Sequence, residues 1–389
     1  MTKVLLICNI YDDKWIGSFV RSIKQVDTSL QIDLFNTYLE EKISMPVYTE
    51  LCSNVIVGKR NFAKFLYKIP KLRGILAWLD IYLGFRRFAC ELKCKAKKYD
   101  VINVHFLLPA LRYCMTDMKA IANKILLSPW GSDILRAKKI DLEKLRFLTE
   151  QSDFVSCGRE QLRFKDDIIR LLHVPNEKLI NIGFGTEMID FISAHSEVTR
   201  QMAKEKLGLS GKYVIVCGYN ANKIQNHIQI IEAIASRKRQ LPENLLLLLP
   251  MTYGRDERYV TLVEKTIEEK GLACRILRDY LPNDELLYVR KCADIFIHAQ
   301  DTDANSGSLA EYLLCRTKVI NAEWLYYPNR EKYGKPYYTF KSFEELGDVV
   351  VQSYKSDECL ISTHLIEDIR RDGWSYVGKQ WANFYNSCV

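Results

Sequence analysis

Short, mostly apolar runs recur along this chain, each followed by a segment of helical periodicity. In the first half they are Val4–Cys8, Gln31–Phe35, Ser53–Val57, Val101–His105, Lys124–Ser128, Asp153–Cys157 and Leu179–Ile182. The second half repeats the pattern with Tyr213–Cys217, Leu245–Leu249, Ala273–Leu277, Asp294–His298 and Lys318–Ile320. A strand that is apolar on both sides must be covered on both faces. That demands helices above and below a parallel sheet, joined by right-handed crossovers. Between Ser193 and Ser210 the pattern loosens into a polar helix and a Gly-Leu-Ser-Gly turn. The sequence therefore predicts an α/β protein of two domains, residues 1–195 and 196–365. A terminal segment, 366–389, holds the aromatic-rich helix Gly373–Ser387, expected to pack back on the first domain.

In parallel sheets, ligands bind at the carboxyl ends of strands, so the loops that follow strands carry the chemistry. Ala293–Asn321 is the richest of them, reading strand, polar loop, helix, strand. Asp301, Thr302, Asp303, Asn305, Ser306 and Gly307 form the loop. Ser308 is the expected N-cap, with Glu311 at capping-box spacing. A helix start offers free N–H groups and partial positive charge to an anion.

The bulk properties narrow the class. The 389 residues are 48% hydrophobic and 27% charged, as in ordinary soluble domains. No apolar run approaches the roughly 20 residues that span a bilayer. The N-terminus reads as a first strand rather than a signal peptide, so a cytoplasmic protein is expected. Twelve cysteines are scattered singly, without C-x-x-C, and read as reduced core thiols rather than metal ligands. The net charge of +8 is local: residues 59–98 hold twelve Lys or Arg and only Asp80 and Glu91 as acids.

Several stretches resemble the GT-B glycosyltransferases of the large retaining class that uses nucleotide sugars. YDVINVHFLLPALRY resembles that family's acceptor-domain strand ending in histidine. LLSPWGSDIL is similar to its W-G-S-D turn, and SDFVSCGREQLR and INIGFGTEMIDF resemble the segments that follow. KYVIVCGYNANKIQNHIQIIEAI resembles the opening of its nucleotide domain. The resemblance spans roughly residues 3 to 345. Its best single motif, E-x7-E, stands here as Asp303 to Glu311, with aspartate in place of the first glutamate. The Asn-rich loop and LPMTYGRDERY look like the bacterial branch that transfers a 4-acetamido-4,6-dideoxyhexose to a lipid-linked sugar.

The resemblance implies two Rossmann-like domains with parallel sheets facing across a cleft. The N-terminal domain would bind the acceptor and the second a UDP-, GDP- or dTDP-linked sugar, with no further cofactor and no essential metal. Glu311 would accept the ribose hydroxyls, or else cap its own helix. Asp303 would face the sugar. Ser306, Gly307, Ser308 and Leu309 would offer N–H groups to the diphosphate, with Gly218 and Gly17 nearby. The family places Arg and Lys after Val-Gly; here the Arg is absent, and Lys223, His227 and Arg255 are candidates for its role or members of solvated loops. His105 would contact sugar or acceptor, or be a core histidine. Asp133 would orient an acceptor hydroxyl or cap a helix. Asp301-Thr302-Asp303 also reads as the D-x-D metal motif of another glycosyltransferase fold. The mechanism implied is transfer with retention: the leaving diphosphate takes the acceptor's proton, and no protein nucleophile is needed.

The basic segment 59–98 interleaves Phe, Tyr and Trp with its charges, and Pro70 and Gly74 are expected to split it into two helices. It reads as a dock for an anionic membrane surface, with a solvated helix face as the plain alternative; no motif supports nucleic acid. The expected protein is a peripheral enzyme at the inner face of the cell membrane. It would move a hexose-type sugar onto a glycan or polyprenyl-linked acceptor in bacterial surface polysaccharide synthesis. A nucleotide-sugar epimerase and a catalytically silent subunit of a glycan assembly complex are the other classes open to this sequence. The sequence leaves the oligomeric state undetermined.

Overall fold

The computed structural model describes residues 1–9, 14–37, 50–160, 162–254 and 256–389. The candidate Arg255 lies outside the described residues. The chain forms two compact units: Met1–Gly185 together with Trp374–Val389, and Thr186–Gly373. The division falls at Gly185/Thr186, earlier than the 195/196 read from the sequence. The reason lies in helix Glu187–Ala194, whose Met188, Ile189 and Ile192 belong to the core of the second unit.

In the first unit the strands are β1 (Lys3–Cys8), β2 (Gln31–Asn36), β3 (Asn54–Val57), β4 (Tyr99–His105), β5 (Ala122–Ser128), β6 (Phe154–Ser156) and β7 (Leu179–Ile180). They pair in parallel in the order β3-β2-β1-β4-β5-β6-β7. One face buries Val4, Leu6 and Cys8 against Phe19, Val20 and Ile23 of helix Lys14–Val26. The terminal helix Trp374–Ser387 joins the same core through Trp374, Val377, Trp381 and Tyr385. Each such side chain removed from water stabilises the fold by about 1.5–3 kcal/mol before entropy is counted. Polar ends find partners: Trp381 Nε1 donates to the Gly183 carbonyl at 2.9 Å, and Asn103 Nδ2 donates to the Tyr385 hydroxyl at 2.7 Å.

The basic segment does not split into two helices. A 3₁₀ turn, Lys64–Lys68, leads into one helix, Pro70–Cys94. Pro70 stands in the first turn, where its missing N–H costs nothing. Gly74 does not interrupt the helix, because packing carries it past that point. Leu76, Ile81, Phe85 and Ala89 are buried, and Phe85 meets Phe35 of β2 edge-on at 5.2 Å. Asp80, fully buried, accepts from Asn61 N at 2.7 Å, from Asn61 Nδ2 at 2.9 Å and from the Tyr67 hydroxyl. It pins the 3₁₀ turn to the helix.

The second unit has β8 (Tyr213–Cys217), β9 (Leu245–Pro250), β10 (Cys274–Leu277), β11 (Ile295–His298), β12 (Lys318–Ala322) and β13 (Tyr338–Phe340). They pair in parallel in the order β10-β9-β8-β11-β12-β13. Strand β13 is absent from the sequence reading: three residues, Tyr-Thr-Phe, carry too little apolar signal. In each unit the order reverses direction once, between β1 and β4 and between β8 and β11. Loops leaving a sheet at such a point diverge and open a crevice.

Candidate functional site

At the switch point of the second unit, the loops after β8 and β11 are stitched together. Asn226 Nδ2 donates to the Ala299 carbonyl and to Asp301 Oδ1, both at 2.8 Å, and Asp301 N donates to the Ile224 carbonyl at 3.0 Å. Gly218 follows β8 with φ +64°, and a Cβ there would stand 2.9 Å from His227 Nε2 and 3.1 Å from Gln225 Oε1. Only glycine lets the loop fold down on these two side chains. His227 is fully buried at the start of helix His227–Ser236, and burial pushes its pKa down to about 4, so it is neutral near pH 7. Its Nδ1 lies 3.3 Å from the Tyr259 hydroxyl, and its Nε2 has no hydrogen-bond partner among the described residues. Lys223 is exposed on a 3₁₀ turn. The loop after β9 closes in beside them: Ala221 N donates to the Tyr253 carbonyl at 2.8 Å.

After β11, helix Gly307–Leu314 opens with Ser306 as its N-cap, not Ser308. The Ser306 hydroxyl accepts from Leu309 N at 3.1 Å. Glu311 is therefore outside the capping box, and its carboxylate has another partner. Arg290, from helix Asn283–Lys291, donates from Nε to Glu311 Oε2 at 2.6 Å. The same guanidinium reaches the Tyr312 hydroxyl at 3.0 Å and Ser308 Oγ at 3.3 Å. Arg290 and Glu311 are each only 5% exposed, so this is an ion pair held out of water. Burial opposes the arginine's charge, but Tyr312 and Glu311 more than offset it and hold the proton above the ordinary arginine value. Glu311 Oε1 points toward the helix start, 3.8 Å from where a Cβ on Gly307 would stand. Leu309 is buried, while Gly307 and Ser308 are half-buried.

Asp303 is held from behind. Its Oδ2 accepts from the Tyr327 hydroxyl at 2.8 Å and stands 3.7 Å from His298 Nε2. His298, at the end of β11, is fully buried, and its Nδ1 lies 2.9 Å from Asn321 Oδ1. Burial lowers its pKa, with Asp303 and Asn321 pulling the other way. Gln300 accepts from the Tyr219 hydroxyl at 2.9 Å. A polar shell of His298, Gln300, Asn321 and Tyr327 thus underlies Asp303. Sequence reading missed this shell and Arg290 alike. Among the described residues no group of three His, Cys, Asp or Glu side chains could hold a metal ion.

In the first unit, the strand-end residues are used differently. His105 is 1% exposed and enclosed by Phe19, Trp130, Phe184 and Trp381, with ring centroids 4.6–6.4 Å away. Trp130 Nε1 donates to its Nδ1 at 3.4 Å, and burial pushes its pKa down to about 3. Asp133 accepts Leu107 N on Oδ2 at 2.8 Å and Trp130 N on Oδ1 at 3.0 Å. Burial pushes its pKa up to about 6 against the pull of these amides. Gly17 is buried inside helix Lys14–Val26, not in a loop.

Two α/β units with parallel sheets of seven and six strands match the GT-B fold of the solved structures that the chain resembles. The solved structures it resembles include HepE from Anabaena in complex with UDP and glucose, at 14% identity, TM-score 0.70, covering 100% of both chains. Sucrose-phosphate synthase from Thermosynechococcus elongatus matches at 14% identity and TM-score 0.72, over 100% of this chain and 99% of that one. A UDP-forming α,α-trehalose-phosphate synthase from Burkholderia xenovorans matches at 12% identity and TM-score 0.66, over 99% of each. At these identities the likeness is one of fold. No protein-family model and no curated protein matches the sequence.

Proposed function

We propose that the protein is a glycosyltransferase that moves a hexose-type sugar from a nucleotide-sugar donor to a glycan or polyprenyl-linked acceptor, with retention. The observation that carries this reading is Glu311. It is a buried carboxylate in the second turn of helix Gly307–Leu314, at the switch point of the second sheet, with one oxygen turned toward the helix N-terminus. There a carboxylate accepts from ribose hydroxyls while the N–H groups of Gly307 and Ser308 donate to the diphosphate; Leu309 N is already taken by the Ser306 cap. Asp303 faces the sugar. Gly218 permits close approach, and His227 and Lys223, with Arg255, serve the departing diphosphate in place of the absent arginine. In support, a full-length fold likeness links the chain to structures solved with UDP and UDP-glucose. The nucleobase is uracil, guanine or thymine. The Asn-rich loop after Gly218 favours a 4-acetamido-4,6-dideoxyhexose as the sugar.

The membrane reading has its support in the segment 59–75, which carries six Lys or Arg and no acid. Phe65, Ile69, Leu72 and Ile75 are exposed there, Phe65 by 65% and Ile75 by 55%. Exposed apolar side chains among a run of basic residues suit an anionic lipid surface. No helix among the described residues is long and apolar enough to cross a membrane. In this reading the basic segment brings the enzyme to an acceptor at the membrane surface, in bacterial polysaccharide synthesis.

The test is slow hydrolysis or transfer with a panel of UDP-, GDP- and dTDP-sugars. One donor is expected to react, and Glu311→Ala to lower the rate at least about a hundredfold, as loss of charge-assisted binding at a buried site does. Full activity in Glu311→Ala would remove the assignment; no activity with any donor would favour a silent binding subunit.

A further inference from the structure

We propose that Arg290 is the positioning residue that makes Glu311 a nucleotide ligand: it fixes the carboxylate's orientation and sets which oxygen is left for the ligand. The inference rests on the nucleotide-sugar reading above. A carboxylate on a freely turning side chain presents neither oxygen steadily to a pair of sugar hydroxyls. One residue holds it here. Arg290 Nε holds Oε2 at 2.6 Å, leaving Oε1 on the side of the helix start. Its other two nitrogens hold Tyr312 and Ser308, so the guanidinium plane is fixed at three points along the same helix. The arrangement goes beyond neutralising a charge. The arginine sets which oxygen faces the ligand and ties it to the first turn, where the diphosphate amides are.

Removing Arg290 takes away the donor that fixes Oε2, so neither oxygen is held toward the helix start. A lysine can restore a donor to Oε2, though not the hold on Tyr312 and Ser308.

The experiment is calorimetric titration of the 389-residue chain with UDP, GDP and dTDP at pH 7.5. Wild type is expected to bind one of them. Arg290→Met should bind it at least tenfold more weakly, and Arg290→Lys, which keeps a donor for Oε2, should stay within about fivefold of wild type. Circular dichroism and melting check the fold, and Arg290→Gln takes the place of Arg290→Met if that variant does not fold. Equal affinity in wild type and Arg290→Met, or a loss in Arg290→Lys as large as in Arg290→Met, overturns the arginine's role while the nucleotide reading stands. Failure of wild type to bind any of the three overturns that reading, and this inference with it.

Discussion

The two units meet the same geometric problem at their switch points and solve it differently. In the first, the strand-end side chains are packed into the unit. Asp133 gives both oxygens to backbone amides, and His105 is sealed among four rings with its Nε2 lacking a hydrogen-bond partner among the described residues. In the second, carboxylates are held by side chains: Glu311 by Arg290, and Asp303 by Tyr327. A side chain that braces a carboxylate from behind keeps it aimed, leaving an oxygen for something else. A backbone amide that takes its lone pair builds a loop. Topology thus says where a site can be, and the partners of each carboxylate say which oxygens stay available there.

Three changes would break or sharpen this contrast. The largest effect is expected from His105→Ala, which empties a ring-lined cavity and should cost about 2–4 kcal/mol of stability, read by denaturant unfolding. Nucleotide binding should survive it. Lost binding with unchanged stability would mean His105 serves a ligand after all, and the two switch points would be alike.

Next comes Asp133→Asn, read through pH. The folded carboxyl holds its proton up to about pH 6, whereas the unfolded one releases it near 4. The group's contribution to stability is thus fully present below about pH 4 and is lost as pH rises from 4 to 6. Wild type should lose on the order of 2–3 kcal/mol over that window relative to Asp133→Asn, with parallel curves above it. Curves that run parallel throughout would place Asp133 in a wetter, more available setting.

The smallest single effects belong to the basic segment, where the first unit presents its chemistry outward. Lys64→Ala or Lys68→Ala should each weaken binding to vesicles containing phosphatidylglycerol by about fivefold at low salt, roughly 1 kcal/mol apiece. Phe65→Ser should weaken it at every salt concentration. Co-sedimentation indifferent to both salt and charge would leave this face merely solvated.

Much of the fold was legible because its strands are buried on both sides, and a near-continuous apolar run is hard to read as anything else. Strand β13 was not, since Tyr-Thr-Phe gives no run. The error over Pro70 has a similar root: local propensity marks a break, while the packing of Leu76, Ile81 and Phe85 decides the helix. Of the site, the strand-end loops and Glu311 were legible from turn formers and spacing. The partners were not. Arg290 reads as one more basic residue in the last turn of a helix, 21 positions from Glu311, and Tyr327 stands 24 from Asp303. Only the crossover connections bring such pairs together. Ser308 was preferred to Ser306 as cap because both are serines, and the glutamate three residues on suited the wrong one.

The return of the last helix to the first unit sets an order of assembly. The second unit is one unbroken stretch and can finish folding as soon as it is made. The first begins earlier yet lacks Trp374, Val377 and Trp381 until the whole second unit has been made. At roughly 5–20 residues per second, the interval from Gly185 to Trp381 is about 10–40 s. During that time Phe19, Val20 and Ile23 wait without the helix that covers them. The unit begun first is thus sealed second. A lesion in helix Trp374–Ser387 would surface as aggregation of the nascent chain, far from any sugar chemistry.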